Sequence, residues 1–436
     1  MKHPQSVLIA SALSLLGCGS SSPTPAVTPV TTPAPAAPAT PAPATPATAT
    51  PATAQGPELS TQQVIDANNQ FSIDLYRGIA NASTNTAASP FSAHTAFAMT
   101  REGARGETRA EFDRVLHLDG NAGPGFHALT DRIAAVGQSG VELRVANRVF
   151  VEQSLTMTPT FAPALRQGFG APFETADFVA ASEPARTRIN TWVAGQTEGR
   201  IQDLLPVGAL NSLTRLVLTN AVYFHGNWAT SFEASRTAPL PFMVAGQGVP
   251  VPMMQAEMPL RFARAEGVTV GELPYNGGQI SMLVAVPTDA NGLGALISNL
   301  STQQVTGWVN EMHQSRRVIV KLPRFRIAPT RSVELSAPMQ ALGVRLAFSD
   351  AQADLTGIAD VTPRLFVAEA YHRAFIEVNE VGTEAAAATA VVVATRSAPM
   401  RPAEPDALIA DRPFLFLLRD TQTGAILFIG HVADPR

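Results

Sequence analysis

The stretch Glu377-Val378-Asn379-Glu380-Val381-Gly382-Thr383-Glu384-Ala385-Ala386-Ala387-Ala388-Thr389 joins an acidic strand end to a run of very small residues, and Val391-Val392-Val393 follows closely. Nothing in it suits catalysis. Alanine has no bulk to obstruct insertion into a packed sheet, and valine and threonine favour strand geometry once inside one. The run therefore reads as a segment that can change conformation. Composition alone would favour a helix or a linker. The flanks reverse that reading: Tyr371 to Glu380 upstream, and Phe414 to Leu418 with Ala425 to Val432 downstream, read as strands around a loop at about residues 380–410.

The chain has 436 residues, a formal net charge of −4 and one cysteine, Cys18, which excludes a disulfide framework. Lys2 and His3 precede an apolar run from Val7 to Leu16, ending in Leu15-Leu16-Gly17-Cys18. The run is too short to span a bilayer, and the small residue before Cys18 suits cleavage ahead of a lipid-modified cysteine. Residues 1–17 are thus expected to be a bacterial lipoprotein signal peptide, with Cys18 the lipidation site and a membrane the partner it reaches. The expected location follows: export across the inner membrane and lipid anchoring at the outer membrane, cell surface or periplasm. Gly19, in place of an aspartate, favours the outer membrane in a Gram-negative host. Residues 18–57 are almost wholly Pro, Ala, Thr and Ser, cannot build a core, and read as a disordered tether. At roughly 3 Å per residue in extended polyproline geometry it would reach on the order of 100 Å.

From residue 58 to 436 no second low-complexity break occurs, so one large domain is expected. Ser60-Thr61-Gln62-Gln63 reads as a capping box opening a helix in which Val64, Phe71, Leu75 and Ile79 recur at helical spacing. Ile280 to Val286 and Val318 to Leu322 are apolar, β-branched runs closed by Pro287 and Pro323, and read as strands. Phe414 to Leu418 and Ala425 to Val432, joined by Asp420-Thr421-Gln422-Thr423-Gly424, read as a hairpin. Helices and strands mix without regular βα alternation, which favours an α+β fold.

Further segments appear in a telling order: Ser89-Pro90-Phe91-Ser92, Gly103-Ala104-Arg105-Gly106-Glu107-Thr108, Ile189-Asn190-Thr191-Trp192-Val193, Thr219-Asn220-Ala221-Val222-Tyr223-Phe224-His225-Gly226-Asn227-Trp228, Glu272-Leu273-Pro274-Tyr275, Leu322-Pro323-Arg324-Phe325 and Ala353-Asp354-Leu355-Thr356-Gly357-Ile358. With the alanine-rich run, they give a chain that resembles the serpins, the serine protease inhibitors, along nearly the whole body. The resemblance implies large mixed and antiparallel sheets, surrounding helices and an exposed reactive-centre loop. It implies a hinge at Glu380, Gly382, Thr383, Glu384, Ala385, Ala386, Ala387, Ala388 and Thr389. Ser89, Ser92, Asn220 and His372 match the family's shutter, where strands part to admit the loop, and Trp228 matches the breach at its top. His372 is thus read as a gate and not a catalyst. Family spacing counted from Gly382 puts the reactive bond at Arg396–Ser397, so the implied partner is a trypsin-like serine protease held as a covalent acyl-enzyme. Met400 is the competing bait, while Arg401 is disfavoured by Pro402 as leaving group. After cleavage, residues from Thr383 to about Thr395 are expected to insert as a new strand.

The alternative reading is a non-inhibitory serpin serving as a binding or chaperone-like surface lipoprotein. Thr383 to Thr389 contains no bulky residue or proline and no charge beyond Glu384, which matches the inhibitory pattern. Val381 and the proline-rich length of Ala398 to Ala410 depart from it. The motifs Gly-x-Ser-x-Gly, Ser-x-x-Lys and His-Glu-x-x-His of hydrolases are absent, so an enzyme is not expected. Nor is a metal or a cofactor. The acidic balance and the scattered arginines, with Lys2 and Lys321 the only lysines, argue against nucleic acid or a polyanion as partner. A monomer is expected.

Overall fold

Ser60 caps the first helix as the sequence suggests: its hydroxyl accepts from the Gln63 N–H at 3.3 Å, and the Gln63 side chain accepts from the Ser60 N–H at 2.9 Å. The fold is that of a computed structural model describing residues 56–136, 141–170, 173–362, 364–383 and 406–436. In chain order come α1 (Thr61–Ile79), β1 (Thr86–Ala88), α2 (Pro90–Gly103), α3 (Gly106–Val115), α4 (Gly123–Val136), β2 (Val141–Glu152), α5 (Phe161–Phe169), β3 (Glu174–Ala176), α6 (Phe178–Gln196) and β4 (Leu216–Asn227). Four strands follow: β5 (Ala238–Val244), β6 (Gln247–Ala265), β7 (Val268–Pro274) and β8 (Ile280–Pro287). Then come α7 (Leu293–Asn299), α8 (Thr302–Glu311), β9 (His313–Pro323), β10 (Phe325–Ile327), β11 (Val333–Glu334), α9 (Ser336–Leu342), β12 (Glu369–Val378) and β13 (Gly382–Thr383). The chain closes with β14 (Asp406–Ile409), β15 (Phe414–Asp420) and β16 (Ile426–Val432).

Among the described residues the strands form two sheets, of seven and nine strands, and the class is α+β. The seven-stranded sheet runs β10-β12-β13-β4-β2-β3, with β11 beside β12. In it β4 and β12 lie directly side by side and parallel from Glu369↔Val217 to Phe375↔Tyr223. The nine-stranded sheet carries the expected hairpin β15–β16 and the expected strands β8 and β9. Its central strands are buried along their whole length, as their unbroken apolar runs require.

Alternation along β4 fixes what each face of the smaller sheet meets. Val217, Ala221 and Tyr223 pack under α6 with Ile189 and Val193. Val222 and Phe224 point the other way, into the core between the sheets with Met282, Val284, Phe416 and Phe428. Behind the lower half of that inner face lies α2, buried almost all round, with Phe97 and Met99 packed against Leu216 and Leu218. Asn220 shares the inner face, so its amide is directed at the N-terminus of α2.

The two ends of the expected loop are strand. Asp406–Ile409 pairs in parallel with Val318–Lys321 of β9. Gly382–Thr383 turns back as a wedge between β12 and β4, with Thr383 opposite both Val378 and Gly226. Insertion expected to begin at Thr383 only after cleavage thus meets a resting chain in which Thr383 is already in place.

Candidate functional site

The site is the top of the β4–β12 seam. The chain reverses there through Asn379-Glu380-Val381, and the Asn379 side chain holds the reversal by accepting from the N–H groups of Val381 (3.0 Å) and Gly382 (3.3 Å). Gly382 is required by closeness: a Cβ on it would lie 2.0 Å from the Gly226 carbonyl oxygen. Trp228 closes the top, donating its indole N–H to the Asn379 carbonyl at 2.9 Å and its backbone N–H to the Val381 carbonyl at 2.8 Å. The Glu380 carboxylate is 8% exposed and accepts from Arg324 Nε (2.7 Å) and the Thr237 hydroxyl (2.5 Å). Burial alone would raise its pKa, but the Arg324 and Thr237 hydrogen bonds outweigh burial and hold it below the usual value. A cleft of about 1170 Å³ opens beside the turn, lined among others by Phe232, Arg324, Glu377 and Arg436.

Lower down, a row of polar side chains crosses three strands. Asn147 on β2 faces Asn220 on β4, which faces His372 on β12. His372 Nε2 accepts from the Ser89 N–H at 3.0 Å, so the ring proton sits on Nδ1 and is donated to the Asn220 carbonyl oxygen. The Asn220 amide nitrogen donates to Ser92 Oγ (2.6 Å) and to Asn147 Oδ1 (3.0 Å), and Ser89 Oγ donates to the Leu427 carbonyl at 2.7 Å. Ser89, Ser92, Asn220 and His372 are all buried. Burial without a counter-charge pushes the His372 pKa down to about 4, so the ring is neutral. Only the His372–Asn220 link in this row spans β12 and β4. Parting those strands breaks one side-chain bond and leaves the Asn147–Asn220–Ser92 cluster paired.

The structure thus brings Ser89, Ser92, Asn220 and His372 together, and separately Trp228, Glu380, Gly382 and Thr383. Glu384, Ala385, Ala386, Ala387, Ala388, Thr389, Arg396, Ser397, Met400, Arg401 and Cys18 lie outside the described residues. Sequence reasoning missed Asn147, Thr237 and the role of Arg324, whose signals are only their later neighbours in space. Among the described residues no three His, Cys, Asp or Glu side chains gather as a metal-binding group.

A family model described as serpin (serine protease inhibitor) matches residues 66–435. The leukocyte elastase inhibitor of Sus scrofa is 36% identical over 386 residues, covering 86% of this chain and 100% of that protein. Antithrombin-III of Mus musculus is 36% identical over 397 residues, covering 87% of this chain and 84% of its own. The crystal structure of Serpin48, a highly specific serpin in the insect Tenebrio molitor, matches with a TM-score of 0.75 at 30% identity, covering 86% of this chain and 99% of the other.

Proposed function

This chain belongs to the serpin family, and from that premise we propose that it inhibits a trypsin-like serine protease as a suicide substrate, presenting Arg396–Ser397 as the bond attacked. The observation that carries the reading is the β13 wedge: the two residues preceding the alanine-rich run already lie antiparallel to both neighbours in the seam. Continued alternation from Thr383 puts Ala385, Ala387, Thr389, Val391 and Val393 on the same inward face. The protease serine attacks the Arg396 carbonyl, the bond to Ser397 breaks, and the new amine leaves with a proton supplied by the protease. The loop end stays esterified while residues beyond Thr383 zip into the seam and carry the enzyme with them. Arginine as bait suits a protease pocket closed by a carboxylate, which it meets in a charge-assisted contact.

Magnitudes identify the drive. Ordering one backbone residue costs roughly 1 to 2 kcal/mol, and a net ladder hydrogen bond returns about 0.5 to 1.5, so these approximately cancel. Each inward valine, Val391 and Val393, adds about 1.5 to 3 kcal/mol on burial. The N-terminal signature supports presentation of the inhibitor on a lipid anchor at Cys18 through residues 18–57. No helix among the described residues is long and apolar enough to cross a membrane.

The test is to mix the protein with trypsin and look for an adduct that survives denaturant, with a released C-terminal peptide beginning at Ser397 by mass. Cleavage without an adduct, and with an unchanged melting temperature, would instead support the non-inhibitory binding or chaperone-like role.

A further inference from the structure

We infer that Tyr275 is a positioning residue for strand insertion: its hydroxyl pins Thr383, so that the hinge waits with its first two residues already in the seam. The inference rests on the inhibitory reading above for its consequence, but not for its geometry. Tyr275 directly follows β7 of the other sheet and reaches Trp228 through an isolated antiparallel bridge. Its N–H donates to the Ile280 carbonyl at 3.0 Å, which fixes the backbone. The ring stacks on Trp228, with centroids 4.5 Å apart and planes 16° apart, and meets the edge of Phe224 at 4.9 Å. Gly226 makes room for this packing, since a Cβ there would lie 3.0 Å from Tyr275 Cδ1.

So held, the phenol ends 2.7 Å from Thr383 Oγ1, and both residues are fully buried. Among the described residues Thr383 is the only hydrogen-bond partner of that hydroxyl. Filling the space beside Trp228 and Phe224 needs only the ring, and a phenylalanine would supply it. The hydroxyl matters because a buried polar group must be paired, and here one bond pairs two hydroxyls, one donating and the other accepting. Burial also pushes the phenol pKa well above its ordinary value, so the group stays a neutral hydroxyl wherever the protein is folded.

The consequence is kinetic. Adding a strand is slowest at its first residues, which must be ordered before any contact rewards them. With Thr383 fixed, insertion after cleavage proceeds from an existing pair, and it must outrun hydrolysis of the acyl-enzyme. Loss of the pin lets the wedge fray and hands part of that race to hydrolysis.

The test uses Tyr275→Phe, Thr383→Val, the double variant, and Thr383→Ser, which keeps the hydroxyl. Amide hydrogen exchange of Gly382 and Thr383 in the uncleaved protein reads the pin, and the stoichiometry of trypsin inhibition reads its consequence. Tyr275→Phe is expected to lower protection at those two amides about tenfold, the scale of one buried hydroxyl left unpaired. It should raise the stoichiometry at least about twofold while the rate of loop cleavage stays the same. Thr383→Ser should behave as the unaltered protein, and the double variant no worse than Thr383→Val. Unchanged protection in Tyr275→Phe overturns the inference, as does an effect of the double variant equal to the sum of the singles. If the unaltered protein fails to trap trypsin but Tyr275→Phe still loses protection, the inhibitory reading falls and the pin stands.

Discussion

Replacing Thr383 with arginine tests the seam most directly. Thr383 is 0% exposed, its hydroxyl is bonded to Tyr275 at 2.7 Å, and it lies opposite Val378 and Gly226. No carboxylate hydrogen-bonds to this position, so a guanidinium held there would be an unpaired buried charge costing several kcal/mol. The cheaper course is for the wedge to leave. That forfeits ladder bonds worth about 0.5 to 1.5 kcal/mol each and orphans the Tyr275 hydroxyl at about 1 to 3 kcal/mol. A penalty of roughly 2 to 4 kcal/mol on insertion slows it by about 30-fold to 1000-fold. Cleavage at the proposed Arg396 bond should be untouched, so the partition is expected to shift to hydrolysis and Thr383→Arg to become a substrate. Titrating trypsin with the variant should need many equivalents for full inhibition, with a nicked chain accumulating on a denaturing gel. A covalent adduct at the unaltered stoichiometry would refute both the seam and the chemistry built on it.

Three further outcomes are expected. His372 is held neutral with a pKa of about 4 against 6.5 when unfolded, so its stabilising contribution is complete above pH 6.5 and is lost as pH falls toward 4, by about 3 kcal/mol. His94, lowered to about 3 by burial, adds to the same acid lability, and calorimetry at pH 5 should show proton uptake on unfolding; none would mean the rings are already charged when folded. Arg324→Ala removes the charged partner of Glu380, leaving Thr237 and a backbone N–H, and should cost about 1 kcal/mol given the half-exposed guanidinium, seen as a melting temperature lower by a degree or more. Cys18→Ser should abolish incorporation of labelled fatty acid and release the protein from the membrane fraction; label retained on the serine variant would rule out Cys18 as the anchor.

Local patterns carried much of the fold. The Ser60 box, the apolar runs of β8 and β9 and the β15–β16 hairpin are legible because each is decided by residues close in sequence. Ser89, Asn220 and His372 were reached only through resemblance, since nothing in their immediate neighbours says that a helix N-terminus and two parallel strands will converge. Asn147 was missed for that reason, on a strand whose half-covered face disguises its alternation. The Tyr275–Thr383 bond joins a residue just after β7 to one in β13, more than a hundred positions apart. The pairing of Gly382 and Thr383 in the resting chain was not legible at all, because it depends on how the Asn379 turn and Trp228 are braced from outside the run.

The short grip of β14 on β9 bears on how long the protein keeps before use. The chain is moored on both sides of residues 384–405, by Gly382–Thr383 in the seam and by four paired positions on β9, Asp406 to Ile409. On the proposed inhibitory reading, severing the rope and slipping its far knot would have the same effect on the seam, because either would free the run to follow Thr383 inward. The lifetime of the unspent protein on standing would then be governed by local undocking of that small strand, not by melting of the whole body.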